Sequence, residues 1–154
     1  MRKIGFPLGI VSLIALDQWV KAWTVATIAL NEQRAFIPKI VNFYYLRNYG
    51  AAFSILQHQQ WFFTLVTLIV ITVAIWYFIK HIEGSLWTLW SLSLVIAGGI
   101  GNFIDRLRLG YVVDMFHLDF IDFPVFNVAD MCLTVGVAVL FISIMKEENN
   151  GNKS

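Results

Sequence analysis

The sequence holds a single cysteine, Cys132, and little charge: 14% of its 154 residues are charged and the net charge is +1. One thiol cannot close an internal disulfide, and its place inside an apolar run makes it a packing residue. A balance this close to neutral carries no electrostatic signature of a nucleic-acid or acidic partner. Familiar catalytic signatures are missing as well. His58, His81 and His117 show no metal-ligand spacing and no H-E-x-x-H, which sets aside a zinc protease and gives no reason to expect a metal or other cofactor. There is no G-x-S-x-G, no phosphate-binding loop and no dinucleotide glycine motif. Internal repeats and low-complexity segments are absent too.

What the chain does have is apolar residues, 58% of the total. A soluble domain of this length has too little interior to hide them. A bilayer removes that constraint, so one polytopic membrane domain over residues 1–154 is expected. The start, Met1-Arg2-Lys3 before an apolar run, resembles a signal peptide. The run continues into Asp17-Gln18 and Lys21 without a small-residue cleavage site, so it reads as a retained first helix.

About 20 mostly apolar residues cross the hydrocarbon. Four segments qualify, at about 4–30, 61–79, 86–104 and 126–145. A spanning segment must satisfy its own backbone hydrogen bonds, which makes these helices. Four spans bring both termini to one side. Residues 80–85 form a tight turn there, and two long connections, 31–60 and 105–125, share the other side. Within the first connection, Ile40-Val41-Asn42-Phe43-Tyr44-Tyr45-Leu46 reads as a strand and Asn48-Tyr49-Gly50 as a turn. Gly110-Tyr111-Val112-Val113 reads as a second short strand. The fold class is therefore all-α membrane protein, four transmembrane helices with a small β-sheet. Residues 147–154 are polar and are expected to be disordered. Basic residues divide five against five: Arg2, Lys3, Lys80, Lys146 and Lys153 on the termini side, Arg34, Lys39, Arg47, Arg106 and Arg108 on the loop side. The termini-side segments are shorter and so more densely basic, which favours cytoplasmic termini.

Ionisable groups inside spans are expensive and point to function. Here they gather at one end. Asp17, Gln18 and Lys21 lie in the outer half of the first helix. Asn102, Asp105 and Arg106 lie at the loop-side end of the third, and Asn127 and Asp130 open the fourth. Plainer readings exist for each group. Asp17 and Lys21, one turn apart, are able to neutralise each other. Asp105-Arg106 suits an interfacial anchor. Asn127 with Asp130 suits a helix cap. Gly98, Gly99 and Gly101 suit close helix packing. Five aspartates fall within 26 residues: Asp105, Asp114, Asp119, Asp122 and Asp130. Two carboxylates sharing a site split their pKa values, so that one serves as base and the other as acid, the chemistry of water-mediated peptide hydrolysis. Spacing does not choose the two. Asp114 ends a strand and Asp130 opens a helix, whereas Asp119 and Asp122 suit solvated loop acids.

Five segments, in order along nearly the whole chain, resemble the lipoprotein signal peptidase (signal peptidase II) family. Asp17-Gln18-Trp19-Val20-Lys21 is similar to D-Q-x-x-K, and Arg47-Asn48-Tyr49-Gly50-Ala51-Ala52-Phe53-Ser54 to R-N-x-G-A-A-F-S. Gly101-Asn102-Phe103-Ile104-Asp105-Arg106 is similar to G-N-x-x-D-R, Gly110-Tyr111-Val112-Val113-Asp114 to G-x-V-V-D, and Phe126-Asn127-Val128-Ala129-Asp130 to F-N-x-A-D. The resemblance implies an aspartic endopeptidase of the bacterial cytoplasmic membrane that removes signal peptides from diacylglyceryl-modified prolipoproteins, cutting before the lipidated cysteine. It implies Asp114 and Asp130 as the catalytic pair. Asp17, Lys21, Asn48, Gly50, Asn102, Arg106 and Asn127 are implied as supporting or substrate-binding residues. It further implies membrane lipid as a partner and a site near the extracytoplasmic face; no nucleic-acid partner and a monomeric chain are expected beside it. Met115 and the stretch to Phe123 depart from the family pattern, which touches only loop contacts. Asp130, in the first turn of its helix, is expected to be the ionised member of the pair and Asp114 the protonated one. The competing class, a small proton-coupled transporter, would need polar groups toward both membrane faces.

Overall fold

A computed structural model describes residues 2–50 and 59–151. The elements are α1 (Arg2–Thr27), β1 (Gln33–Ile37), β2 (Val41–Asn48), α2 (Gln60–Lys80), α3 (Leu86–Leu109), β3 (Val112–Leu118) and α4 (Val128–Gly151). All four helices are long and apolar enough to cross a membrane. The second strand is close to its expected place and β3 is longer than expected. β1 is an addition: all five of its residues are exposed, so no buried face marks it in the sequence.

Helix α3 packs against each of the other three. Its buried residues include Leu89, Leu92, Val95 and Ile96, which meet Ala74 and Phe78 of α2, with Phe6 and Ile10 of α1 and Leu133 and Leu140 of α4 beside them. Small residues permit the closest approaches. A Cβ on Gly98 would stand 2.4 Å from the Ala129 carbonyl oxygen, and one on Gly136 would stand 2.9 Å from that of Ser91. Backbone contact at this range brings the dispersion packing that replaces the hydrophobic effect within lipid.

α3 runs five residues past its expected end, so Asp105 and Arg106 belong to a helix and not to a loop. It stops at Gly110, whose φ of 75° is the left-handed conformation that glycine adopts without strain, and whose N–H donates to the Arg106 carbonyl (3.1 Å). α1 stops at Thr27, three residues early, as the chain turns into the sheet. α4 continues through Gly151, so the polar stretch expected to be disordered is helical up to that residue. No proline interrupts it, and Lys146, Glu147 and Glu148 are good helix formers. The remaining tail, 152–154, lies outside the described residues.

The three strands form one antiparallel sheet in the order β1-β2-β3. Ile28, just past the end of α1, packs with Tyr45, Val113 and Met115, and this small core seats the sheet on the end of the bundle. Met115, expected to touch only loop contacts, is fully buried there. Phe126 pairs with Phe116 on the other side of β3, through N–H donation both ways (2.8 and 3.1 Å). That bridge carries the chain from β3 into α4 and fixes their relative position. At the opposite end of the bundle, Arg2 Nη1 donates to the Gly84 carbonyl (2.9 Å), joining the N-terminal segment to the α2–α3 turn.

Candidate active site

Asp114 and Asp130 line one cavity of about 600 Å³ at the sheet end of the bundle, together with Asn48, Gly50, Asn102 and Arg106. Much of the remaining wall is apolar, from Phe123 and Val125 before α4 and Leu133 and Val135 within it.

β2 and β3 position Asp114, which pairs with Leu46 across the ladder. Its carboxyl is 1% exposed as a residue. Both oxygens accept: Asn48 Nδ2 donates to Oδ2 (2.9 Å) and Asn127 Nδ2 to Oδ1 (2.6 Å). Asn48 is itself held in a turn, where its Oδ1 accepts the Gly50 N–H (2.9 Å). Burial, and next the charge of Asp130, push the Asp114 carboxyl up to about 7, against the opposing pull of the Asn48 and Asn127 hydrogen bonds.

Asp130 sits in the first turn of α4. Its N–H donates to Asn127 Oδ1 (2.9 Å), and the Asn127 N–H donates to Asp130 Oδ2 (3.2 Å). This reciprocal cap satisfies two backbone donors that a helix start leaves open. The structural reading of Asn127 as a cap therefore holds, and the same amide also reaches Asp114. Asn102 Nδ2 completes the environment of Asp130 by donating to Oδ1 (2.7 Å).

Behind the pair lies a charged cluster. Lys21 Nζ is 2.9 Å from Asp17 Oδ2 and 3.2 Å from Asp105 Oδ2, and it donates to Asn102 Oδ1 (3.0 Å). Three donors meet three acceptors, as an ammonium requires. Lys21 and Asp17 are a pair, as their spacing suggested, but not a pair alone. Gln18 Nε2 donates to Asp105 Oδ1 (3.0 Å), to Asp17 Oδ2 (3.2 Å) and to the Gly101 carbonyl (3.2 Å). A Cβ on Gly101 would stand 2.6 Å from Asp17 Oδ2, so glycine admits this carboxylate to the α3–α4 seam. Asp105 does not pair with Arg106. Arg106 Nη1 donates weakly to the Asn102 carbonyl (3.4 Å), its guanidinium lies 5.7 Å from the Phe63 ring centroid, and its buried Nε has no hydrogen-bond partner among the described residues.

The nine residues singled out from the sequence thus meet in one cavity and the network behind it. Asp105 and Gln18, which the sequence placed in the same polar clusters but not among the supporting residues, belong with them. The signal was present: Asp105 follows Asn102 by three residues, which puts both on one face of a helix. Asp119 and Asp122 are exposed, and Asp119 accepts from Asn42 Nδ2. Ala51, Ala52, Phe53 and Ser54 of the second motif, and His58, lie outside the described residues. In the other half of the bundle the buried polar groups are hydroxyls, Thr88, Ser91, Ser93 and Ser143. Among the described residues that half offers no buried ionisable group for a proton relay.

The family model described as signal peptidase (SPase) II matches residues 9–146. A protein of Streptococcus agalactiae serotype Ia called lipoprotein signal peptidase is 64% identical over 152 residues, covering 99% of both chains. Proteins of the same name from Streptococcus pyogenes serotype M1 and Streptococcus thermophilus are 57% and 56% identical over 99% of this chain, and over 100% and 99% of their own. Two solved structures titled as bacterial membrane enzymes superpose with TM-scores of 0.90 and 0.85. Each is 36% identical, and they cover 96% and 93% of this chain and 92% and 94% of their own.

Proposed function

The chain belongs to the signal peptidase II family, and from that premise we propose that Asp114 and Asp130 are the catalytic pair of this aspartic endopeptidase. It is a multi-pass bacterial membrane hydrolase of lipoprotein processing, which removes the signal peptide of a prolipoprotein. The reading of the pair rests on one observation above the others. Two carboxyls from different elements open on one cavity, and their environments differ: one is held in a strand with its carboxyl raised to about 7, the other lies at a helix start.

The asymmetry assigns roles. The free N–H groups and positive end of α4 favour negative charge at Asp130. Asp114 keeps its proton. A water between them loses a proton to Asp130 while its oxygen bonds to the scissile carbonyl carbon. Asp114 gives its proton to the carbonyl oxygen, which yields a gem-diol. The C–N bond then breaks. The leaving amine takes the proton held by Asp130, one diol hydroxyl returns a proton to Asp114, and both residues regain their starting states. Arg106, whose buried Nε has no hydrogen-bond partner among the described residues, contacts the substrate backbone. The apolar cavity wall suits a diacylglyceryl-modified substrate whose chains stay in the bilayer. The enzyme acts as a monomer.

The decisive experiment is cleavage of a diacylglyceryl-modified prolipoprotein by the purified enzyme. Asp114→Asn and Asp130→Asn should each abolish it and still fold, whereas Asp119→Asn and Asp122→Asn should retain most of it. Turnover by either of the first two variants would overturn the pair.

The sheet and site face the outside of the cell, and the termini face the cytoplasm. In a Cys132→Ala background, a membrane-impermeant thiol reagent should label Gln33→Cys on intact cells and leave Lys3→Cys unlabelled. The opposite pattern would reverse the topology.

A further inference from the structure

Lys21 has two carboxylate partners where charge balance needs one. At formal charges the buried trio Asp17, Lys21 and Asp105 sums to −1, and excess buried charge is unfavourable. Neutralisation therefore explains one aspartate and leaves the other without a reason. The second oxygen contacts supply one. Asp17 Oδ1 accepts the backbone N–H of Ala129 (2.9 Å), the residue immediately before Asp130. Asp105 Oδ2 accepts the backbone N–H of Val113 (2.9 Å), the residue immediately before Asp114. The third arm of the ammonium ends on Asn102, whose amide donates to Asp130.

From this geometry, and given the catalytic pair proposed above, we infer that Asp17 and Asp105 are paired positioning residues. Joined by Lys21, they clamp the backbone on the N-terminal side of each catalytic aspartate and so fix the separation of the two carboxyls. The parts come from four elements: Asp17 and Lys21 from α1, Asp105 and Asn102 from α3, Val113 from β3 and Ala129 from α4. No direct backbone pairing joins β3 residues 112–114 to the first turn of α4. Among the described residues the backbone of the two segments meets at the Phe126 bridge to Met115 and Phe116, on the far side of Asp114, and the Asn127 amide adds a side-chain tie to Asp114 Oδ1 (2.6 Å). Gln18, bonded to both clamp carboxylates, holds them in register.

The trio also makes the test clean. Asp17→Asn leaves Lys21 with Asp105, and Asp105→Asn leaves it with Asp17. Each single variant retains a balanced pair and should fold. A slackened clamp displaces one reacting carboxyl, and misplacement on the ångström scale lowers turnover by about ten- to a hundredfold. Substrate binding, which the cavity walls provide, is untouched. In mixed lipid micelles with a diacylglyceryl-modified prolipoprotein, both variants should show that loss in kcat per folded enzyme, with KM within about twofold of the parent. Normal kcat in either variant, or a loss carried by KM, overturns the clamp. If Asp114→Asn is inactive in the same assay, the catalytic pair survives that failure; an active Asp114→Asn refutes the pair itself. Should one of the charge variants not fold, Gly101→Ala decides. Its methyl would stand 2.6 Å from Asp17 Oδ2 and 3.1 Å from Ala129 Cβ, so it strains the Asp17–Ala129 contact without removing a charge. A drop in kcat at constant KM supports the clamp, and parental kcat overturns it.

Discussion

Helices α2 and α3 are neighbours that face opposite demands. α2 has the highest mean hydropathy of the four spans, 2.5, yet only 17% of its most apolar window is buried. α3 has a mean hydropathy of 1.4, and 67% of its window is buried. In a soluble protein the ranking would be reversed. Here lipid is the apolar solvent, so α2 turns most of its apolar surface outward to it, as Ile69, Val73, Trp76 and Ile79 do. The inner helix interleaves small and polar residues, among them Ser91, Ser93, Gly98, Gly99 and Asn102, with its apolar ones because packing and hydrogen bonds hold helices together within lipid. It also supplies Asn102, Asp105 and Arg106, which explains why the site grows from the least apolar end of the most buried span.

The sharpest way to break this contrast is to enlarge one residue on each helix. Gly98→Leu drives a side chain into the Ala129 carbonyl and Leu133, in backbone that leads directly to Asp130. Over-packing commonly costs about 1–3 kcal/mol where neighbours are able to yield, and here a backbone oxygen stands in the way. We expect no folded, active enzyme. Val73→Leu, exposed on α2, should leave both the unfolding midpoint and turnover unchanged. Equal tolerance at the two positions would show that α3 is not the packing centre.

The same contrast explains what could be read from the sequence. α2 was legible because a continuous apolar run needs no partner to be recognised. The end of α3 was not, because Asp105, Arg106 and Arg108 resemble a loop until Lys21 and Gly110 are seen to satisfy and stop the helix. β1 was invisible because an exposed edge strand carries no alternation. Within the site, clustering of polar residues at one end was evident from helix direction alone. The choice of Asp114 and Asp130 among five aspartates came from the family resemblance. Asp105 was visible as a clustered polar residue, but its role was not, because its two partners, Lys21 and the Val113 N–H, lie far away in sequence or on the backbone, where no residue type records them.

A second, intermediate effect separates the polar end from the apolar body through pH. Asp114 lies in β3, outside the spans, and burial with the charge of Asp130 raises its carboxyl to about 7. Its proton is present below that value and lost above it. If Asp114 is the acid, kcat/KM should fall by about tenfold per pH unit beyond an alkaline limb near 7, an apparent value that belongs to the pair. Stability follows with the same sign. The folded chain holds this proton more tightly than the unfolded one, so its contribution is full below about 4, declines as pH rises from there, and is lost once pH passes about 7. Asp114→Asn should flatten the unfolding midpoint against pH. Substitutions in the middle of α2, which has no acidic residue, should leave the slope as it was. An unchanged slope in Asp114→Asn would place the titration elsewhere.

The smallest effect is the most discriminating, because it compares one functional group in two settings. Thr88 Oγ1 and Ser143 Oγ are 2.8 Å apart, both buried, and they join α3 to α4 in the half of the bundle away from the site. Thr72 of α2 is exposed and spends its hydroxyl on its own helix, donating to the Leu68 carbonyl (2.7 Å). Hydrogen bonds between membrane helices average about 0.6 kcal/mol and reach about 1.7, because the separated helices find other partners. Ser143→Ala should therefore lower stability in mixed micelles by about 0.6 kcal/mol, with cleavage unaffected, since the dyad lies at the other end. Thr72→Val removes a hydroxyl that faces lipid and joins nothing to anything. It should leave stability unchanged or raise it slightly, as a methyl suits hydrocarbon better than a self-satisfied oxygen. The sign of the difference matters more than its size. If Thr72→Val were the more damaging of the two, polar groups would be stabilising α2 from within and not joining α3 to its neighbours. The division between a lipid-facing helix and a bundle-facing one would then have to be redrawn.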